Sequence, residues 1–190
     1  MELKGSQTEK NLLIAFAGES QARNRYTFFA DAARREGYEK IADIFMETAE
    51  NECVHARRFF RFLEGGMVEI CAAFPAGVIG TTAQNLKASA DGEREEAAEA
   101  YPAMAKTARD EGFEEIAVQF ETTGQAEAWH EKRFRALLAD VDGGTVFKKA
   151  AKVLWKCGVC GFVHEGAEAP ENCPCCRYGK KFFSIYNENI

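Results

Sequence analysis

Glu52-Cys53-Val54-His55 and Glu127-Ala128-Trp129-His130 are the two stretches from which the rest of this sequence can be read. Residues three apart on a helix share a face, so each stretch aims a carboxylate and an imidazole at one point, as a metal site requires. Both stretches lie in apolar stripes that advance by alternating steps of four and three. The first is Ile41, Phe45, Thr48, Glu52, His55, Phe59 and Phe62; the second is Ile116, Phe120, Thr123, Glu127, His130, Phe134 and Leu137. Such a stripe faces a core. An unpaired carboxylate there costs several kcal/mol or takes up a proton, so it calls for a cation. A single Glu-x-x-His is more often a solvated helix face. Two inward copies that use two of the three histidines reverse that judgement.

Working outward, the stretches belong to an internal repeat. Adding 75 carries Tyr26 to Tyr101, Arg34 to Arg109, Gly37 to Gly112, Ile41 to Ile116, Phe45 to Phe120 and Phe59 to Phe134, while Gly18-Glu19 meets Gly92-Glu93 one residue early. Ser6-Gln7-Thr8-Glu9 reads as a capping box opening a long helix that ends near Gly37, with Leu12, Phe16, Glu19, Arg23, Tyr26, Ala30 and Ala33 on its inner stripe. A second helix is expected from Glu39 to Leu63, stopped by Gly65-Gly66. Residues 65–82, with Pro75, lack helical periodicity and are too long for a tight hairpin, so they form a crossover along a bundle. A third helix runs from Ala83 to Glu111 with Pro102 as a kink, and a fourth from Glu114 to Ala139. Each half thus offers one Glu from its first helix, Glu19 or Glu93, and a Glu-x-x-His from its second. That is the known ligand pattern of di-iron and di-manganese carboxylate bundles.

The repeat is broken at Glu96, which corresponds to Ala22. Glu96 belongs either to the solvated acidic run Glu93-Arg94-Glu95-Glu96 or, by its spacing from Glu93, to the metal site as an extra carboxylate. Tyr26 and Tyr101, related by the repeat, are core aromatics or hydrogen-bonding neighbours of the ligands.

The whole chain has 190 residues, 46% of them hydrophobic and 28% charged, with a net charge of -6. No basic patch offers a footprint for nucleic acid, and no apolar run approaches the ~18 residues of a membrane span. Seven cysteines, an odd number, suit a reducing compartment, so a cytoplasmic location is expected. Four of them, Cys157, Cys160, Cys173 and Cys176, form two Cys-x-x-Cys pairs with twelve residues between, a strong signature of a tetrahedral four-thiolate site. Cys53, Cys71 and Cys175 have no obvious mates. So small a module needs its metal to fold. Spacing alone leaves zinc and iron open. The expected division is a bundle over 1–145, a linker over 146–152 and the metal module over 153–190.

The combination resembles the rubrerythrin family, and the resemblance covers essentially the whole chain. It rests on Gly18-Glu19-Ser20-Gln21-Ala22-Arg23-Asn24-Arg25-Tyr26, Glu52 with His55, Glu93 with Glu96, Glu127 with His130, Phe74-Pro75-Ala76-Gly77, and Cys157-Gly158-Val159-Cys160-Gly161-Phe162. It implies a mainly α protein: a four-helix ferritin-like bundle with a long crossover, followed by a rubredoxin-like knuckle domain. It also implies a non-haem di-iron peroxidase that reduces hydrogen peroxide to water. Electrons would come from a donor protein such as a rubredoxin and its reductase, ultimately NAD(P)H, through an iron held by the four cysteines. In the family pattern Glu19, Glu52, Glu93, Glu96, Glu127 and His130 hold the oxidised pair, and His55 replaces Glu96 on reduction. Cys53-Val54 is more apolar than that pattern, and Cys53 beside a peroxide site is oxidisable. The competing readings are a ferritin-like ferroxidase and a structural zinc protein. From His130 to Asp140 the helix rises roughly 15 Å, which carries the module past its own site and predicts a head-to-tail homodimer.

Overall fold

The computed structural model describes residues 2–187. Five helical stretches build a four-helix bundle: α1 (Gln7–Glu36), α2 (Glu39–Phe60), α3 (Thr82–Glu95), α4 (Tyr101–Asp110) and α5 (Glu114–Asp142). A π-helical turn, Glu96–Ala100, joins α3 to α4, so the two count as one long interrupted helix. Ser6 caps α1 by accepting from Glu9 N. Glu9 turns its carboxylate to Gly5 N rather than to the capping residue, so only half of the expected box forms. A full box, Thr81 with Gln84, starts α3. Gly37 closes α1 at φ 87, a left-handed conformation that glycine adopts without penalty. Leaving α2, the chain makes i→i−3 bonds at Phe62 and Leu63, so the helix ends three residues short of its expected terminus. α5 runs three residues past Ala139.

The expected kink at Pro102 takes another form. Tyr101 N bonds Glu96 O, five residues back, and Pro102 follows in the first turn of α4, where its missing N–H costs little. The repeat explains the placement: the second half holds one residue more than the first between its helix-one Glu and its Tyr, and a π turn absorbs one extra residue. Glu93 and Tyr101 consequently both face inward.

Polar ties fix which helix ends meet. Glu36 accepts from Thr82 N at 3.1 Å at one end, and Glu111 accepts from Gln7 N and Thr8 N at 3.1 and 2.8 Å at the other. Residues 61–81 therefore span the full length of the bundle, largely exposed, with Met67 and Val78 outermost. Two apolar clusters fill the interior. One holds Phe29, Ala33, Ile41, Phe45, Leu86 and Phe134, the other Leu12, Phe59, Tyr101, Ile116 and Phe120. Between them lies a layer of acid and imidazole. Arg23, placed on the inner stripe by periodicity, is exposed and pairs with Glu50 at 3.3 Å.

The C-terminal module is a three-stranded antiparallel sheet in the order β2-β1-β3, with β1 (Lys148–Cys157), β2 (Val163–Glu168) and β3 (Phe183–Ile185). Its core is Trp155, Cys157, Ala169, Cys173 and Phe183. It sits on the end of its own bundle at the α1–α2 turn, where Tyr38 stacks on Phe147 at 6.2 Å and Lys181 reaches Glu39 at 2.8 Å.

Candidate metal centres

The polar layer collects one carboxylate from each helix hairpin position that the repeat singled out. Glu19, Glu52, Glu93 and Glu127 are all buried, none more than 1% exposed. Their oxygens and the Nδ1 atoms of His55 and His130 form two overlapping quartets. Glu19, Glu52, His55 and Glu127 make one; Glu52, Glu93, Glu127 and His130 make the other. Glu52 and Glu127 belong to both. His55 Nδ1 lies 2.9 Å from Glu52 and from Glu127; His130 Nδ1 lies 3.3 and 2.7 Å from the same two residues. Ligands about 2.1 Å from one octahedral ion stand about 3 Å apart, so these are separations along the edges of a coordination polyhedron.

Hydrogen bonding points the same way. Both oxygens of Glu52 and of Glu127, Oε2 of Glu19 and of Glu93, and both Nδ1 atoms are buried without a hydrogen-bond partner. Leaving so many acceptors buried and unmatched is expensive unless a cation takes them. The other oxygens are matched: Tyr26 donates to Glu93 Oε1 and Tyr101 to Glu19 Oε1. Burial, and then the neighbouring carboxylates, push both phenols well above their ordinary range, so they stay neutral donors. The same causes raise Glu19 and Glu93. Burial opposes a charge on His55 and His130, but the carboxylates beside them, Glu127 and Glu52 foremost, outweigh it and push both imidazoles up.

Glu96 stands outside both quartets. It lines a cavity of about 150 Å³ with Gly18, Gln21, Arg25, Phe74 and Tyr101. Burial, then Glu127 and Glu52, push its carboxyl up to about 8. Arg25 and Phe74 were not among the expected site residues. The available signal was the face Gly18, Gln21, Arg25, stepping by three and four beside Glu19.

In the module Cys157, Cys160, Cys173 and Cys176 gather their sulfurs, with Cys157 to Cys176 at 3.8 Å and Cys160 to Cys173 at 3.6 Å. A tetrahedron with metal–sulfur bonds near 2.3 Å has edges of about 3.8 Å. The two knuckles repeat each other: Cys157 N bonds Phe162 O as Cys173 N bonds Tyr178 O, and Gly161 N bonds Cys157 O as Arg177 N bonds Cys173 O. Cys175 is exposed and outside the cluster.

The rubrerythrin family model matches residues 10–138, and the model of its rubredoxin-like domain matches residues 155–184. The chain is 56% identical to a rubrerythrin of Porphyromonas gingivalis, over 98% of this chain and 94% of that one. It is 53% identical to a rubrerythrin of Nitratidesulfovibrio vulgaris over 98% of each. The chain belongs to the rubrerythrin family. Solved structures agree on the fold. Fully reduced nigerythrin is 32% identical, with a TM-score of 0.61 over 97% of this chain and 91% of that one. A bacterioferritin of Mycobacterium tuberculosis, at 17% identity and a TM-score of 0.64 over 75% of this chain and 90% of that one, shares the ferritin-like bundle. As a rubrerythrin-family protein the chain has a di-iron site in its bundle and a one-iron site on its four cysteines, the metals its donor sets fit. Among the described residues no helix is long and apolar enough to cross a membrane.

Proposed function

We propose that this protein is a peroxidase that reduces hydrogen peroxide to water and defends against oxidative stress. The observation that carries the reading is Glu96: a carboxylate in excess of the two quartets, poised in a small cavity beside them. When bound, the iron pair supplies the two electrons that cleave the O–O bond, and the four-cysteine iron replaces them from a donor such as a rubredoxin.

The chain's own residues have these parts. Glu52 and Glu127, which belong to both quartets, would be shared by the two metals; Glu19 with His55 would hold one, and Glu93 with His130 the other. Glu96 and His55 would be alternatives at one position, a neutral imidazole suiting a reduced pair that needs less negative charge. Five carboxylates against two ferrous ions leave one negative charge in excess, so giving up Glu96 is electrostatically permitted. Tyr26 and Tyr101 fix Glu93 and Glu19 in rotation by hydrogen bonds and present neutral O–H groups next to the reacting site. The apolar clusters above and below exclude water from the layer. The functional units are residues 1–145 and 153–190, joined by 146–152, a joint that from Lys148 on is already strand β1 of the module.

The working unit is a head-to-tail homodimer in the cytoplasm, one chain's module serving the other's iron pair. α5 runs twelve residues beyond His130, about 18 Å of rise, and the module then docks on the bundle's end rather than folding back along its wall. Iron-loaded, fully reduced protein should consume hydrogen peroxide stoichiometrically. Chains ending after Asp140, mixed with Glu127→Ala chains, should regain turnover in mixed dimers. A soluble iron core far beyond three ions per chain, formed without peroxide consumption, would establish the ferroxidase reading instead.

A further inference from the structure

The cavity beside the iron pair holds two groups of opposite charge that lack settled partners. Arg25, on the face of α1 that also carries Gly18 and Gln21, points into it from one side; Glu96 enters from the π turn. Arg25 Nε is buried and makes no hydrogen bond. A guanidinium nitrogen left so carries a desolvation cost that a carboxylate would remove. Of Glu127, Glu52, Arg25 and Glu95, the neighbours whose charge acts most on Glu96, only Arg25 is positive. The space for movement is also present. A Cβ on Gly18 would meet Glu96 Oε1 at 3.9 Å and the Phe74 ring at 3.8 Å, so the carboxylate already lies against α1 and the crossover, with the cavity of about 150 Å³ beside it.

We propose that Arg25 is the counter-charge that receives the Glu96 carboxylate when it is off the metal, and that it thereby sets the balance between the two ligand arrangements. Arg25 is a positioning residue: it acts through Glu96 and touches neither metal nor substrate. The inference rests on the exchange of Glu96 and His55 described above and adds what the released carboxylate moves toward. Glu95, which lines the same cavity, is the competing partner for Arg25 and supplies a control.

The test is a redox titration of the iron pair in the intact holoprotein, read by its visible spectrum and independent of turnover. Arg25→Gln should disfavour the arrangement with Glu96 released by about tenfold, lowering the midpoint potential by about 30 mV for a two-electron couple. Arg25→Lys should recover most of the shift. Losing a positive charge lowers the potential through space as well, so the deciding measurement is a double-mutant cycle. In a Glu96→Gln background Arg25→Gln should move the potential by much less, leaving only the part that acts through space. An equal shift in both backgrounds overturns the proposal, as does a shift that disappears in Glu95→Gln instead. A protein without peroxidase activity whose cycle still couples Arg25 to Glu96 would refute the proposed function and leave this inference standing.

Discussion

The hairpin of α1 and α2 and the hairpin of α3, α4 and α5 each bring two acids and a histidine to the polar layer, yet only the second adds a third acid. Ala22 is buried in an apolar cluster, whereas its counterpart Glu96 opens a π turn and lines a cavity. In the proposed exchange the second half supplies the added acid and the first half supplies His55. The difference comes from a single extra residue. In the first half Glu19 and Tyr26 are seven apart, two regular turns, and share a face; Glu93 and Tyr101 are eight apart and share one only because the helix widens.

What the halves share should matter most. Glu127 belongs to both quartets, and removing it leaves two imidazoles and three buried acids without their common partner. Glu127→Ala should lose iron from both positions of the bundle together with turnover, while the four-cysteine chromophore stays. Full iron content by metal analysis would dismantle the paired-quartet description. Next comes the residue the halves do not share: Glu96→Ala should keep two irons and slow peroxide reduction by on the order of tenfold or more, as loss of a metal-tuning group does. Unchanged peroxide kinetics in stopped flow would return Glu96 to the solvated acidic run.

A gentler change tests the π turn itself. Deleting exposed Ala98 makes the second half match the first in length, so Glu93 and Tyr101 become seven apart and both remain inward in a regular helix. The variant should fold, bind two irons and show a continuous helix through residue 101 in a crystal structure. Its Glu96 would be held where Ala22 sits in the other half, and peroxide reduction should fall several-fold. A variant that no longer folds would mean that the wide turn supports the bundle and not only the acid.

These contrasts mark what was legible in the sequence. The clustering of the acids and histidines could be read because they interrupt a four-three apolar period, and the crossover because residues 65–82 have no period at all. The one-residue slip between Gly18-Glu19 and Gly92-Glu93 was visible too, but not its form, since a slip can be taken up by a kink, a loop or a wide turn. Pro102 suggested the kink, and the i→i−5 bond of Tyr101 won. The seat of the module at Tyr38 and Glu39 could not be read, because it depends on which surfaces meet at the bundle's end, and periodicity reports only which side of one helix faces inward.

The four-cysteine module repeats the theme on a smaller scale, and it carries the smallest expected effect. After the second cysteine of each knuckle the chain takes a left-handed step, at Gly161 with φ 78 and at Arg177 with φ 66. Glycine adopts that conformation freely, while a residue with a Cβ is strained by roughly 1–2 kcal/mol. Arg177 is exposed, so its side chain contributes little packing to set against the strain. Arg177→Gly relieves the strain but loosens the unfolded chain, which returns roughly 0.5–1 kcal/mol. The net gain should be at most about 1 kcal/mol, read as a small rise in the temperature at which the iron–thiolate colour is lost. Gly161→Ala, the reverse change at the sister knuckle, should lower that temperature by a larger step, because strain appears with no packing gained. If both substitutions moved the transition in the same direction, the two knuckles would not be equivalent in backbone strain, and the symmetry between them would extend only to the sulfurs.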